Sequence, residues 1–192
     1  MKNLFSFFLL FISVVGFGQN GHIKFRDVEL KGPILNFVSE MQKLDYTVSG
    51  TEQGGSAMIM AGKFIGRECK LFILSTAKTK TVWKVVVYFN KTNDWITLRS
   101  DYTALKELIN DRYGKPFKTV ESFSDPYQEG DGRELQALKK NKCIYDTFWK
   151  TREGVVKLSI TSFCQIAIGY EDRINSQVDL KEKSSVTITK DL

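Results

Sequence analysis

Between Ser56 and Asn90 the chain reads SAMIMAGKFIG, RECKLFILSTAK and TKTVWKVVVYFN. These are three runs rich in β-branched and aromatic residues, separated by short turn signals at Gly66-Arg67 and Lys78-Thr79. Nothing else in the sequence restricts the fold as tightly, and the expected product is an antiparallel meander. With the turns centred there, Phe64 opposes Cys69, Met60 opposes Ile73, Leu74 opposes Trp83 and Phe72 opposes Val85. One face then carries Ile59, Ala61, Phe72, Leu74, Trp83, Val85 and Val87. The other carries Met58, Met60, Phe64, Leu71, Ile73, Val86 and Tyr88, interrupted by Lys84. A sheet with one wet face alternates apolar and polar residues. This stretch does not, so either both faces are covered or one is an exposed apolar patch. A slip of one residue would exchange the faces of a strand and leave both apolar.

The rest of the chain repeats the theme of helix followed by strands. Gly32-Pro33 opens a helix, proline being favoured at a first helical position, and Ile34, Phe37, Val38, Met41 and Leu44 form its apolar stripe up to Asp45. Tyr46 to Ser49 can start a strand and Gly50 to Gly55 is a loop. A second helix is expected after Ser100, capped by that serine, with Tyr102, Leu105, Leu108, Ile109 and Tyr113 on one side and Gly114 and Pro116 as its stop. Phe117–Phe123 can be extended, and residues 134–140 fit either a short helix or an extended segment. Cys143–Lys150 reads as a strand, and the residues from Val156 to Tyr170 alternate cleanly between apolar and polar. The expected fold class is therefore α+β: a tandem duplication of a helix packed on a four-stranded antiparallel meander sheet. One globular domain, residues 19–172, is divided into halves at about 19–92 and 93–172, and residues 173–192 are a polar, mobile tail.

The start of the chain reads as an export signal. Met1-Lys2-Asn3 gives a charged end, Leu4 to Phe17 is apolar to small, and Gly16-Phe17-Gly18 offers small residues for cleavage after Gly18, leaving Gln19 first. The apolar run is short of the roughly 20 residues that span a bilayer, and nothing later in the sequence is longer. An exported chain, periplasmic or secreted, follows. Without Lys2 the net charge falls from +6 to +5, a mild excess with lysines spread along the chain. A nucleic-acid surface would show a denser stripe with stacking aromatics between the charges, so the charge fits a loose attraction to acidic envelope polymers.

The residue types restrict the chemistry. The only histidine is His22, and no Gly-x-Ser-x-Gly, phosphate loop or zinc spacing occurs, so neither a histidine-activated nucleophile nor a cofactor is called for and no enzyme is expected. Asp125, Glu129, Asp131 and Glu134, in the loop 124–134, form the one dense acidic group and are candidate calcium or small-ligand residues, although their spacing matches a calcium loop poorly. Export permits a disulfide. Of the three cysteines, Cys69 and Cys143 each begin a long strand and are the expected pair, with Cys143–Cys164 the rival. Phe64, Tyr88, Tyr145 and Trp149 are strand aromatics of the kind that dominate interfaces.

The phrases GKFIGRECKLFIL, TKTVWKVVVYF, LKELINDRYGKP, PYQEGDG and FW together resemble uncharacterised exported proteins of Bacteroidetes, and this resemblance covers nearly all of the chain after residue 18. It implies an exported globular protein and no particular activity. The tandem layout is similar to that of the secreted β-lactamase inhibitory proteins; this is a likeness of layout alone, and no inhibitor residue carries over. The expected function is an exported, non-enzymatic binding module that recognises a protein or envelope polymer through a sheet face, with self-association open to it. Phe64, Lys84, Val86 and Tyr88 are the candidate binding face. The alternative is a small-ligand or calcium-binding envelope protein using the acidic loop.

Overall fold

The computed structural model of the protein describes residues 21–52 and 55–190. The expected leader, residues 1–18, and the expected cleavage point between Gly18 and Gln19 lie outside the described residues. Two short strands, β1 (Lys24–Phe25) and β2 (Val28–Glu29), form a hairpin. They are followed by helix α1 (Ile34–Gln42), which starts directly after Pro33 and buries Ile34, Phe37, Val38 and Met41, the stripe expected from its periodicity. A meander of β3 (Thr47–Thr51), β4 (Ala57–Phe64), β5 (Arg67–Ser75) and β6 (Val82–Phe89) leads into α2 (Trp95–Tyr113). Asp94, not Ser100, caps α2, accepting the Thr97 N–H at 2.9 Å, so the helix begins over a turn earlier than the sequence suggested. Gly114, at φ 78°, ends it as expected. Then come β7 (Lys118–Phe123), α3 (Glu134–Lys139), β8 (Cys143–Lys150), β9 (Gly154–Thr161), β10 (Gln165–Asp172) and α4 (Arg173–Lys190). Residues 134–139 are thus helical. The segment expected as a polar tail carries a helix. Among the described residues no helix is long and apolar enough to cross a membrane.

The expected duplication is overturned. The described residues are mostly β, with ten strands in two antiparallel sheets and four helices. Eight of the strands form one sheet in the order β3-β4-β5-β6-β10-β9-β8-β7. The two runs of strands do not make separate four-stranded sheets, because β6 and β10 pair with each other through five residues, Lys84↔Glu171 to Tyr88↔Ala167. Nor do the helices repeat a unit: α1 has 9 residues and α2 has 19, and α3 and α4 have no counterparts beside α1. One core results. Met60, Leu71, Ile73, Val85, Val87, Ile168, Leu158, Tyr145 and Trp149 line one side of the sheet and are buried together with α1, α2, α3 and Phe25 of β1.

The register explains which residues face that core. At the first hairpin, Ile65 and Gly66 form a two-residue turn with φ of 51° and 73°, so Phe64 pairs with Arg67 and Met60 with Leu71. The expected pairing was off by two residues, which keeps every side chain on its face. The second hairpin behaves differently. Ser75 pairs with Val82, as a turn centred at Lys78-Thr79 demands, but beyond it Leu74 pairs with Lys84 and Phe72 with Val86. Trp83 is the extra residue of a β-bulge, and it turns the rest of β6 over. Val85 and Val87 therefore join the core and Val86 and Tyr88 face away, the reverse of the expected pairing of Phe72 with Val85.

Helix α4 docks across the start of β6 with a polar stripe. Asn175 donates to the carbonyls of Leu30 and Val82 at 2.8 and 2.9 Å. Asp179 is buried and paired with Lys183 at 2.6 Å. Glu182 accepts from the Lys78 N–H (2.6 Å), the Thr79 N–H (3.2 Å) and the Thr79 hydroxyl (2.9 Å) in the β5–β6 turn. Burial pushes the Glu182 carboxyl up, but these hydrogen bonds together outweigh it and hold the group below the ordinary carboxylate range.

Two outcomes are expected. Ile65 is a β-branched residue in left-handed conformation, which costs roughly 1–2 kcal/mol. Ile65→Asn, giving the favoured Asn-Gly turn, should raise stability by about 1 kcal/mol in urea denaturation; an unchanged or lower midpoint contradicts the turn geometry. Because the folded pKa of Glu182 is lowered, its contribution is fully present above its unfolded value of about 4.3 and is lost as pH falls through the folded value. Glu182→Gln should therefore lower the urea midpoint at pH 7, and the difference from wild type should shrink below about pH 4.

Candidate functional site

The register lays out the uncovered side of the sheet in rows. One row reads Lys70, Tyr88, Ala167, Ser159, Asp146 and Val120 across β5, β6, β10, β9, β8 and β7. The next reads Phe72, Val86, Gly169, Lys157, Phe148 and Lys118. A third reads Leu74, Lys84, Glu171, Val155 and Lys150. In the first two rows the β10 residue is the smallest, Ala167 and Gly169. Their neighbours on β6 and β9 are larger, so a trough runs along β10. Its walls are two strand spacings apart, about 9–10 Å, and from Gln165 to Glu171 it is about 20 Å long. The corresponding groove has a volume of about 610 Å³ and includes Lys84, Val86, Tyr88, Lys157, Ser159 and Gly169. A β-carbon added to Gly169 would meet only the Lys84 Cε, at 3.8 Å, so space rather than backbone strain distinguishes this glycine.

The walls carry fixed charges. Lys84 pairs with Glu171 at 3.0 Å and lies 5.5 Å from the Trp83 ring centre. Lys157 pairs with Asp146 at 2.9 Å and lies 5.2 Å from the Phe148 ring centre, whose other lysine neighbour, Lys118, is at 5.8 Å. Tyr88 packs edge-on against Phe72, with ring centres 5.1 Å apart. The ammoniums of Lys84 and Lys157 are thus each held by one carboxylate and one ring, which limits the freedom a ligand would have to freeze.

Three of the four expected binding-face residues meet here: Lys84, Val86 and Tyr88, all half-buried. Phe64 does not. It lies on the covered side, with its ring 5.1 Å from Phe25 and 6.5 Å from Phe89. The bulge at Trp83 reversed β6 but not β4, which separates the pair that had been placed together. Tyr145 and Trp149 are also core, the Trp149 indole N–H donating to Asn110 Oδ1 at 3.0 Å and to the Gly114 carbonyl at 3.1 Å. Burial pushes the Tyr145 phenol up to about 12. Sequence reasoning missed the β10 and β9 side of the groove, because Ala167, Gly169, Lys157 and Ser159 look like the bland wet face of an alternating strand.

The acidic loop is occupied by its own chain. Asp131 accepts from the N–H groups of Gln128 and Arg133 and pairs with the Arg133 guanidinium at 2.9 Å; these contacts hold its carboxyl below the usual range. Glu134 accepts the Gly130 N–H at 2.9 Å, and Glu129 pairs with Arg99 at 2.7 Å. Asp125 is exposed at the head of the loop. Three of the four carboxylates, Glu129, Asp131 and Glu134, therefore serve the loop and the neighbouring helix α2, and among the described residues no group of three or more potential ligands could hold a metal ion. The His22 Nδ1–H donates to Asp172 Oδ2 (3.1 Å), and the same carboxylate also takes the N–H groups of Ile23, Ile174 and Asn175. That carboxylate ties the start of the described chain to the N-terminus of α4.

The expected Cys69–Cys143 disulfide is not formed: all three cysteines are free and buried. Strands β6, β10 and β9 separate β5 from β8, so the two residues stand about four spacings, ~19 Å, apart, against about 7 Å for a bridge. Comparison with protein families, with curated proteins and with solved structures returns no match for the chain. Burial pushes the Cys69 thiol up to about 11 and the Cys143 thiol up to about 12. The native protein should therefore react slowly with a thiolate-selective alkylating agent at pH 8, whereas the urea-unfolded chain should take up three equivalents. Two fewer equivalents in the unfolded, unreduced protein would mean a disulfide and contradict the three free thiols.

Proposed function

We propose that this protein is an exported, non-enzymatic binding module that takes a protein or envelope polymer on the open side of its eight-stranded sheet. The observation that carries the reading is the trough along β10. Helices α1, α2 and α3 cover the opposite side, and among the described residues none covers this one at Lys84, Val86, Tyr88, Lys157 and Gly169. The groove combines apolar area with ammonium–carboxylate pairs and hydroxyls, the mixture typical of recognition surfaces. Export rests on the sequence of residues 1–18 and on the resemblance to exported proteins.

The test is a photo-crosslinking amino acid placed at Tyr88, or at Leu108 on the exposed surface of α2, in cells that export the protein. Tyr88 should give a discrete adduct and Leu108 none. Equal adducts at both positions, or none at Tyr88, would remove the sheet face as the binding surface.

A further inference from the structure

The occupant of the trough can be narrowed from its charge and hydrogen-bonding chemistry, given that the open side is the binding side. Across its strands that side carries six lysines, at 63, 70, 84, 118, 150 and 157, against three carboxylates, at 68, 146 and 171. Its excess of three positive charges is half of the chain's net +6. The three carboxylates are each paired with one lysine, Lys63–Glu68, Lys84–Glu171 and Lys157–Asp146. Lys70, Lys118 and Lys150 have no carboxylate within 4.0 Å among the described residues, and they stand on both sides of the trough. A partner that lies along β10 therefore meets paired charges at the trough walls and uncompensated positive charge to either side.

We propose that the trough binds an extended acidic polysaccharide, a chain of sugar rings bearing carboxylates. Three features separate it from other anionic chains. The strands of the trough are interior to the sheet, so their backbone groups are taken up in the ladders and a peptide would find none of the main-chain pairing that a sheet edge offers. The Phe148 ring, whose face a nucleotide base would need for stacking, already lies under Lys157 and Lys118. What the walls do offer is donors beside acceptors, in Lys84 with Glu171, Lys157 with Asp146, and the Ser159 hydroxyl. A sugar hydroxyl is itself both donor and acceptor and matches such a pair. The carboxylates of the polymer are then drawn by Lys70, Lys118 and Lys150. The length of the trough, about 20 Å, suits an internal stretch of a chain.

The full protein is titrated calorimetrically with an oligogalacturonate, a neutral malto-oligosaccharide, an oligoglutamate and an oligothymidylate of matched length. Gly169→Phe fills the trough from its floor, and Ser159→Phe fills it from β9 should the first variant fail to fold as judged by circular dichroism. The oligogalacturonate should bind, weaken as salt is raised, and lose about tenfold or more in a filled trough. Lys118→Gln with Lys150→Gln should weaken it with the trough left open. The neutral sugar should bind much more weakly. Tighter binding of oligoglutamate or oligothymidylate, abolished by the same filling variants, would overturn the polysaccharide while leaving the open face as the binding surface. Binding of any probe that ignores the filling variants, or no binding of any, would overturn both.

Discussion

The pairing of β6 with β10 is the contact on which the rest of the structure depends. Without it the two runs of strands would each need both faces covered or would leave two exposed edges, an arrangement prone to unwanted association. With it, Val85 and Val87 stand beside Tyr170 and Ile168 in one continuous apolar surface, and α1, α2 and α3 need cover only that side. The same pairing puts the small residues of β10 between the larger residues of β6 and β9 on the other side. The trough is thus a by-product of the junction that makes the core.

Which side of β6 reaches the core is decided by one extra residue. Every side chain of a strand alternates, so the bulge at Trp83 reverses all of Lys84 to Phe89 relative to β5. A continuous apolar run such as VVVYF is compatible with both outcomes. The bulge places the three small or medium residues Val85, Val87 and Val82 inward, all fully buried, and sends Trp83, Lys84 and Tyr88 out. Trp83 then meets Lys84 and Lys183, so the bulge is packed over by long amphipathic side chains.

The buried polar groups show a second kind of constraint. Asn175, Asp179, Glu182 and Asp172 are buried, and every one has a partner inside the protein. Groups of this sort are costly when unmatched and specific when matched. They fix α4 at one place, across the β5–β6 turn and next to the β1–β2 hairpin, where a purely apolar helix could slide.

What the sequence determined by itself is what short-range physics controls. The period of Ile34, Phe37, Val38 and Met41 gave α1 and its buried stripe; Gly114 ended α2; the runs from Ala57 to Phe89 gave three adjacent antiparallel strands. Lys84, Val86 and Tyr88 were legible as one face of a strand because alternate residues share a face, but not which face of the sheet would be open. Only the tertiary structure decided that the eight strands share one sheet, that Phe64 belongs to the core, that Cys69 and Cys143 are far apart, and that Ala167 and Gly169 form the floor of a groove. These depend on pairings between residues some eighty apart, such as Val86 with Gly169, and on a bulge that adds one residue. Strand propensity and periodicity act along the chain and carry no information about which distant strand will be the neighbour.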